Sequence, residues 1–250
     1  SVFSLSSLPA SMTIVGGGSI GCELAEAFAR LGTAVTLVEG LPRLLAREEP
    51  DASAVVERSL TGLGVRVVTG VVIERVESTG MGCVRIFVDG QEIVADKLLM
   101  AVGRVPNAEE LGLDELGIEL TEDSYIKTDD RLSTNVRGVY AAGDVTGKLA
   151  FTHAADEMGR LAAGNALGKG QRGRYRTHWI PWVTFTSPEV ARIGMTEAVA
   201  SAHGGRVAEL PLSEIDRAIT DGSEDGFIKL IAGPKRITRG LFGGQLLGAT

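Results

Sequence analysis

Residues 12–39 read MTIVGGGSIGCELAEAFARLGTAVTLVE, and this stretch decides the fold. Met12 to Val15 is a short apolar run, Gly16 to Gly21 is a glycine-rich turn, and Ile20, Leu24, Ala27, Phe28 and Leu31 recur at helical spacing. Gly32 closes that helix, and Ala34 to Glu39 is β-branched and apolar. Strand, turn, helix and strand in that order make one βαβ unit, for which a right-handed crossover and a parallel sheet are expected.

Outward from this unit, Asp51 is the expected N-cap of a second helix carrying Val55, Val56 and Leu60, which runs out at Gly62 and Gly64. Val65 to Thr69 is the next strand. From Val71 to Ala95 the apolar period changes to two, in VVIERVE, CVRIFV and QEIVA, and Asp89-Gly90 predicts a type I′ hairpin turn. An antiparallel meander is thus inserted in a parallel fold. Leu98 to Val102 returns to a buried parallel-type strand, and a first domain of residues 1–107 ends in Gly103-Arg104-Val105-Pro106-Asn107. Residues 108–172 hold acidic loops, a strand at Gly138 to Ala142 followed by Gly143-Asp144, and a helix from about Ala154 to Leu167. From Tyr175 the character changes again, with Trp179, Trp182, a β-branched run at Val183 to Thr186, and strand patterns at Arg206–Leu210, Gly226–Ile231 and Gln245–Ala249. The last pattern is still apolar at Thr250, so the chain is expected to be cut from a longer one. The fold class is α/β: a Rossmann-like parallel sheet with an antiparallel β-meander insertion, followed by part of an α+β domain.

Composition narrows the chemistry. Among 250 residues, 44% are hydrophobic and 23% charged, near the average for soluble domains, which excludes disordered and collagen-like chains. No apolar run approaches the ~20 residues of a membrane span. The opening SVFSLSSLPA lacks the basic and apolar regions of a secretory signal, so a cytoplasmic protein is expected. A net charge of -7, without a basic block, argues against nucleic acid as a partner. Cys22 and Cys83 form no CxxC pair and are expected to be inert buried thiols, and His153, His178 and His203 are too scattered for a metal site, so each is expected to be structural or on the surface. Small-molecule chemistry remains.

Gly16-Gly17-Gly18-Ser19-Ile20-Gly21 fits G-x-G-x-x-G, which demands a tight turn, a backbone without Cβ beside a pyrophosphate, and close contact of helix and strand. The helix N-terminus adds free N–H groups and a positive dipole end. Glu39 follows Gly21 by 18 residues at the end of the second strand, where an acid accepts a hydrogen bond from a ribose 2′-hydroxyl and repels a 2′-phosphate. NAD is therefore favoured over NADP, with Arg43 as either the one nearby cation for a 2′-phosphate or a solvated loop residue. Glu23, one turn into the helix between Cys22 and Leu24, is either a surface partner of the helix dipole or a carboxylate aimed at the ligand; spacing leaves both open.

Four ordered motifs, residues 14–25 (IVGGGSIGCELA), 102–107 (VGRVPN), 138–145 (GVYAAGDV) and 185–191 (FTSPEVA), resemble the landmarks of the pyridine nucleotide-disulfide oxidoreductases, most closely the dihydrolipoamide dehydrogenase and mercuric reductase branch. The resemblance covers nearly the whole chain. It implies that Gly16, Gly18 and Gly21, with Ser19 and Ile20, cradle the NAD(P)H pyrophosphate, that Glu39 holds the adenosine ribose, and that Val72 lies on the adenine side. Glu23 matches the family glutamate that faces the nicotinamide and pairs with a flavin-side lysine, and Gly103 sits where the family backbone passes the nicotinamide half. Asp144 matches the aspartate that binds the FAD ribityl chain, and Thr152 and His153 match the segment against the flavin ring. Residues 108–172 would be the returning segment of the FAD-binding domain, and residues 173–250 the first part of a dimerisation domain, with a homodimer expected in the parent.

The departures from the family are equally informative. The family opens with an FAD-binding GxGxxG and a following CxxxxC pair; residues 1–250 contain no such pair, neither Cys22 nor Cys83 matches it, and His153 is not the histidine of the family's His-Pro acid/base pair. The expectation is the middle of an FAD-dependent NAD(P)H oxidoreductase that passes hydride from nicotinamide to flavin and on to a disulfide, metal ion or other acceptor, binding NADH without turnover as it stands. The rival is a non-enzymatic dinucleotide-binding sensor or interaction module. A self-contained NAD dehydrogenase fares worse, because residues 175–250 offer no polar catalytic cluster.

Overall fold

The computed structural model describes residues 2–79, 82–168, 173–233, 236–238, 241–243 and 246–250. The chain divides into two compact units, Ser1–Gly103 with Val183–Thr250, and Arg104–Trp182.

In the first unit, β1 (Ser11–Val15), α1 (Ser19–Arg30) and β2 (Ala34–Glu39) form the expected βαβ element. β1 pairs in parallel with β2, Ile14 opposite Leu37, and Gly32 at φ 97° ends α1 as Thr33 N–H reaches back to Phe28 O at 3.0 Å. α2 (Pro50–Gly62) follows. Its N-cap is Glu49, not Asp51: Pro50 presets a helical φ at the first position, where its missing N–H leaves no bond unmade. Asp51 lies instead inside the first turn.

β3 (Arg66–Thr69) adds beside β2, and the meander is β4 (Ile73–Ser78), β5 (Val84–Val88) and β6 (Gln91–Ala95), turning at Asp89 and Gly90 with φ 47° and 73°. Both angles are positive, as a type I′ turn requires. β7 (Lys97–Met100) completes a parallel sheet of order β3-β2-β1-β7 and is shorter than the expected strand to Val102. The sheet buries apolar residues on both faces, as an all-parallel sheet must. Met12, Ile14, Val35 and Leu37 pack with Cys22, Ala25 and Phe28 of α1 and Val56 and Leu60 of α2, while Val15 and Val38 pack with Ile86, Val88 and Ile93 of the meander.

The second unit contains α3 (Thr152–Leu167), whose Ala154, Met158 and Ala162 bury against Leu132, Tyr175 and Ile180. Gly138–Ala142 is not a strand. Tyr140 makes one isolated antiparallel bridge to Ser133, with Ala141 N–H on Leu132 O at 3.1 Å and Thr134 N–H on Val139 O at 3.0 Å, and the pairing does not extend into a ladder.

β8 (Trp182–Thr184) leads back to the first unit, where β9 (Val190–Gly194), α4 (Glu197–Ser201), β10 (Arg206–Pro211), α5 (Asp216–Asp221), β11 (Phe227–Ala232), β12 (Arg236–Thr238), β13 (Leu241–Gly243) and β14 (Leu246–Ala249) follow. Gln245 of the expected last strand lies outside the described residues. The larger sheet has the order β10-β11-β14-β9-β8, with β10, β11, β14 and β9 antiparallel in turn. Val190 and Phe227 extend the α1/α2 core into this part. Among the described residues no helix is long and apolar enough to cross a membrane.

Candidate functional site

The glycine loop leaves the C-terminal end of β1, and its three motif glycines have different reasons to lack a side chain. Gly16 has φ 108°, and a Cβ there would lie 2.4 Å from Ala101 O. At Gly21 a Cβ would lie 1.8 Å from Gly16 O, so this glycine lets α1 start against the strand. Around Gly18 a Cβ would meet nothing within 4 Å. That open side is where a ligand backbone can approach. α1 begins with no side-chain cap, so its first N–H groups are available to an anion.

Glu39 reaches this loop from the end of β2. Its Oε2 accepts from Gly17 N–H at 2.6 Å and its Oε1 from Leu41 N–H at 2.8 Å. Each carboxylate oxygen keeps a second lone pair, so the group is held in place and can still accept a hydroxyl. Arg43 is turned away: its guanidinium donates to Leu45 O at 3.1 Å and Ala46 O at 2.8 Å. Cys22, directly behind the loop, donates from Sγ to Gly17 O at 3.4 Å, and burial, followed by the charges of Glu23 and Glu39, pushes its thiol up to about 12. It stays a neutral thiol, as expected. Cys83 is less enclosed than expected, half-buried with Sγ 3.7 Å from Asp96 Oδ1.

Of the remaining expected residues in this unit, Ser19 and Ile20 occupy the first turn of α1, Ser19 with Oγ 2.8 Å from Thr184 Oγ1 and Ile20 with an exposed side chain. Gly103 follows β7 with φ 150°, two residues after the Ala101 carbonyl that borders Gly16. Val72 lies in the loop after β3, 68% exposed, with its N–H on Asp89 Oδ1 at 3.1 Å. Glu23 is half-buried, and its Oε1 accepts from Phe185 N–H at 2.9 Å. Gly16, Gly18, Ser19, Ile20, Gly21, Glu23 and Glu39 thus gather at the carboxyl ends of β1 and β2, the side of an open α/β sheet where ligands bind.

Asp144, Thr152 and His153 belong to the second unit. Asp144 opens a short 3-10 helix between Gly143 and Gly147, and its Oδ2 is 3.3 Å from Arg104 Nη1, which also donates to Ala150 O at 2.7 Å. Thr152 is the first residue of α3, and its side chain does not cap. His153 is exposed, with Nε2 2.6 Å from Pro181 O and its ring stacked on Phe151 at 5.6 Å. His178 and His203 are also exposed. Among the described residues no group of His, Cys, Asp and Glu is arranged to hold a metal ion.

The sequence reading missed two sets of partners. Glu26, 6% exposed, accepts from Arg30 Nε at 2.7 Å and from Ser187 N–H at 2.8 Å. Lys229, 1% exposed on β11, donates to Glu197 at 2.7 Å and Asp51 at 3.1 Å, with Glu209 at 3.3 Å and Glu49 at 3.7 Å. Burial works against its ammonium, but the hydrogen bonds it donates to Glu197, Asp51 and Glu209 outweigh burial and raise its pKa. Beside it Arg192 pairs with buried Glu48 at 2.7 Å. For Lys229 one signal was present, a charged residue at an inward position of the apolar run Phe227–Ala232; Glu26 lies off the Ile20, Leu24, Ala27, Phe28 and Leu31 stripe and carried none.

Residues 1–159 match the family model described as pyridine nucleotide-disulphide oxidoreductase, and residues 180–250 match the dimerisation domain of that family. A dihydrolipoyl dehydrogenase of Mycobacterium leprae is 37% identical over 246 residues, covering 96% of this chain and 52% of the relative. A mercuric reductase of Staphylococcus aureus is 36% identical over 252 residues, covering 99% and 46%. Among solved structures, LpdA of Mycobacterium tuberculosis superposes with a TM-score of 0.89 at 34% identity, over 99% of this chain and 53% of that one. The HOCl-induced flavoprotein disulfide reductase RclA of Escherichia coli gives 0.84 at 31% identity, over 99% and 56%. The chain spans about half the length of these relatives.

Proposed function

Because the chain belongs to the pyridine nucleotide-disulphide oxidoreductase family, we propose that it carries the NAD(H) site of an FAD-dependent oxidoreductase. The open side of Gly18 and the first N–H groups of α1 would hold the pyrophosphate. Glu39 accepts the 2′-hydroxyl of the adenosine ribose, Val72 borders the adenine, and Glu23 and Gly103 border the nicotinamide. The nicotinamide, when bound, would supply a hydride to the flavin, whose two electrons would go on to a disulfide, metal ion or other acceptor. The chain's own residues bind and orient: the glycine loop admits the backbone approach, the helix dipole offsets phosphate charge, and Glu39 selects the ribose.

The observation that carries this reading is the contact of Glu39 with Gly17 N–H at 2.6 Å, which fixes the acid beside the loop that opens at Gly18. The same geometry favours NAD over NADP, since a 2′-phosphate would meet a carboxylate while Arg43 is occupied by two carbonyls. Titrating the chain with NADH and NADPH and following nicotinamide fluorescence tests this. NADH is expected to bind at least tenfold tighter, about 1.4 kcal/mol; equal affinities, or binding of neither, would overturn the assignment.

In the second unit, Asp144, Thr152 and His153 are read as flavin-side residues, and residues 108–172 as the returning part of an FAD-binding domain. The exposure of the Asp144 carboxylate supports this. Residues 173–250 are read as part of the dimerisation domain of a homodimer. Support comes from the outer face of the larger sheet, where Leu210 stands opposite Ile228 with Leu230 beyond, 42%, 44% and 46% exposed. Two free cysteines fit a cytoplasmic protein.

A further inference from the structure

Three residues of α1 make matched contacts with one extended segment. Ser19 Oγ lies 2.8 Å from Thr184 Oγ1, Glu23 Oε1 accepts from Phe185 N–H at 2.9 Å, and Glu26 Oε2 accepts from Ser187 N–H at 2.8 Å. Positions 19, 23 and 26 are one helix face. Seven residues of α-helix advance ~10.5 Å and three residues of extended chain advance ~10 Å, so the segment runs alongside the helix in step with it. Ser59 of α2 fastens the far end, donating from Oγ to Ser187 O at 2.5 Å.

The two glutamates in this row differ. Glu26 is 6% exposed and both oxygens are committed, Oε1 to Arg30 and Oε2 to Ser187 N–H. Glu23 is half-buried, and among the described residues its Oε2 accepts nothing. A carboxylate with one fixed and one open oxygen is oriented by whatever fixes the first. Here that is the Phe185 N–H, two residues from the Ser187 N–H that Glu26 holds. We propose that Glu26 is a positioning residue for the nicotinamide end of the site: it anchors the segment of residues 184–187, which in turn aims the open oxygen of Glu23 at the dinucleotide. This rests on the reading of Glu23 as a nicotinamide neighbour.

The test compares ligands that reach different distances along the site. The full chain is titrated with NADH and with ADP-ribose, which has the adenosine and pyrophosphate but no nicotinamide. Glu26→Leu removes the acceptor, and Glu26→Gln keeps an oxygen for the Ser187 N–H. Glu26→Leu is expected to weaken NADH about 5–10-fold, the loss of one hydrogen bond to a charged group, and to leave ADP-ribose within twofold. Glu26→Gln is expected to restore most of the NADH affinity. Should the leucine variant fail to fold, Glu26→Thr, too short to reach Ser187, takes its place. In a Glu23→Ala background either substitution is expected to have no further effect on NADH.

Equal weakening of both ligands would make Glu26 a general scaffold residue and overturn the proposal. So would unchanged NADH affinity, or a full effect that persists without Glu23. If the unaltered chain bound neither ligand, the dinucleotide assignment itself would fall, and the positioning role with it.

Discussion

Replacing Lys229 by Met keeps the length and most of the volume of the side chain while removing its charge. Four carboxylates then lose their shared cation. Three of them, Asp51, Glu197 and Glu209, are 62%, 44% and 42% exposed and can turn to water, so each loss is about 0–1 kcal/mol. Glu49 cannot turn, because it is 2% exposed and its Oε1 is fixed by Glu197 N–H at 2.7 Å. Stripping the partner from such a buried charge costs about 3–5 kcal/mol, and this contribution dominates. For a unit of this size each kcal/mol is worth roughly 2–4 °C, so the melting temperature is expected to fall by roughly 6–20 °C. Thermal and urea unfolding followed by circular dichroism measure it. The double variant Lys229→Met with Glu49→Gln is expected to recover at least half of the loss, since both charges then leave together. A melting temperature within about 2 °C of the unaltered chain, or a double variant no better than the single one, would refute the account of the cluster.

Other expectations follow from the site and its surroundings. Glu39→Ala is expected to weaken NADH by about 1–3 kcal/mol, read by fluorescence titration; equal affinity would remove the ribose assignment. Gly18→Ala and Gly21→Ala should separate binding from folding: the first places its methyl in open space and should fold normally while losing NADH, whereas the second meets Gly16 O and should lower the melting temperature. Cys22, whose pKa is raised to about 12 chiefly by burial, contributes stability that is complete below the ordinary thiol value of 9.0 and is lost as pH rises toward 12. Its alkylation at pH 8 should therefore be slow beside that of half-buried Cys83, and Cys22→Ala should flatten the alkaline limb of the stability profile.

The parts legible in the sequence are those fixed by near neighbours. The glycine loop, the Asp89-Gly90 turn and the placing of Glu39 depend on backbone angles and on spacings within one βαβ unit, which local pattern encodes. The capping preference points to Asp51, but Pro50 shifts the N-cap to Glu49, a local rule that competes with it. Residues 138–142 carry the apolar content of a strand, but a strand is defined by its partner, and a sequence run does not say which partner it has. Glu26 and Ser187 are 161 residues apart and Lys229 and Asp51 are 178 apart, so periodicity could mark Lys229 as anomalous and say nothing of the partners. His153, expected from residue type to be structural or on the surface, is exposed, and its contact with Pro181 O joins residues 28 apart.

The first unit is assembled from two stretches separated by residues 104–182, and this has a consequence for synthesis on the ribosome. Lys229 is added 178 residues after Asp51, which at roughly 5–20 residues per second is about 9–36 s of translation. During that interval the nascent α/β portion can form its sheet and helices. Glu48 and Glu49, however, wait at the start of α2 without Arg192 or Lys229. Those carboxylates must stay hydrated until their cations arrive, so this corner should close last, and a slowly translated message should leave it open to proteases for longer than the rest.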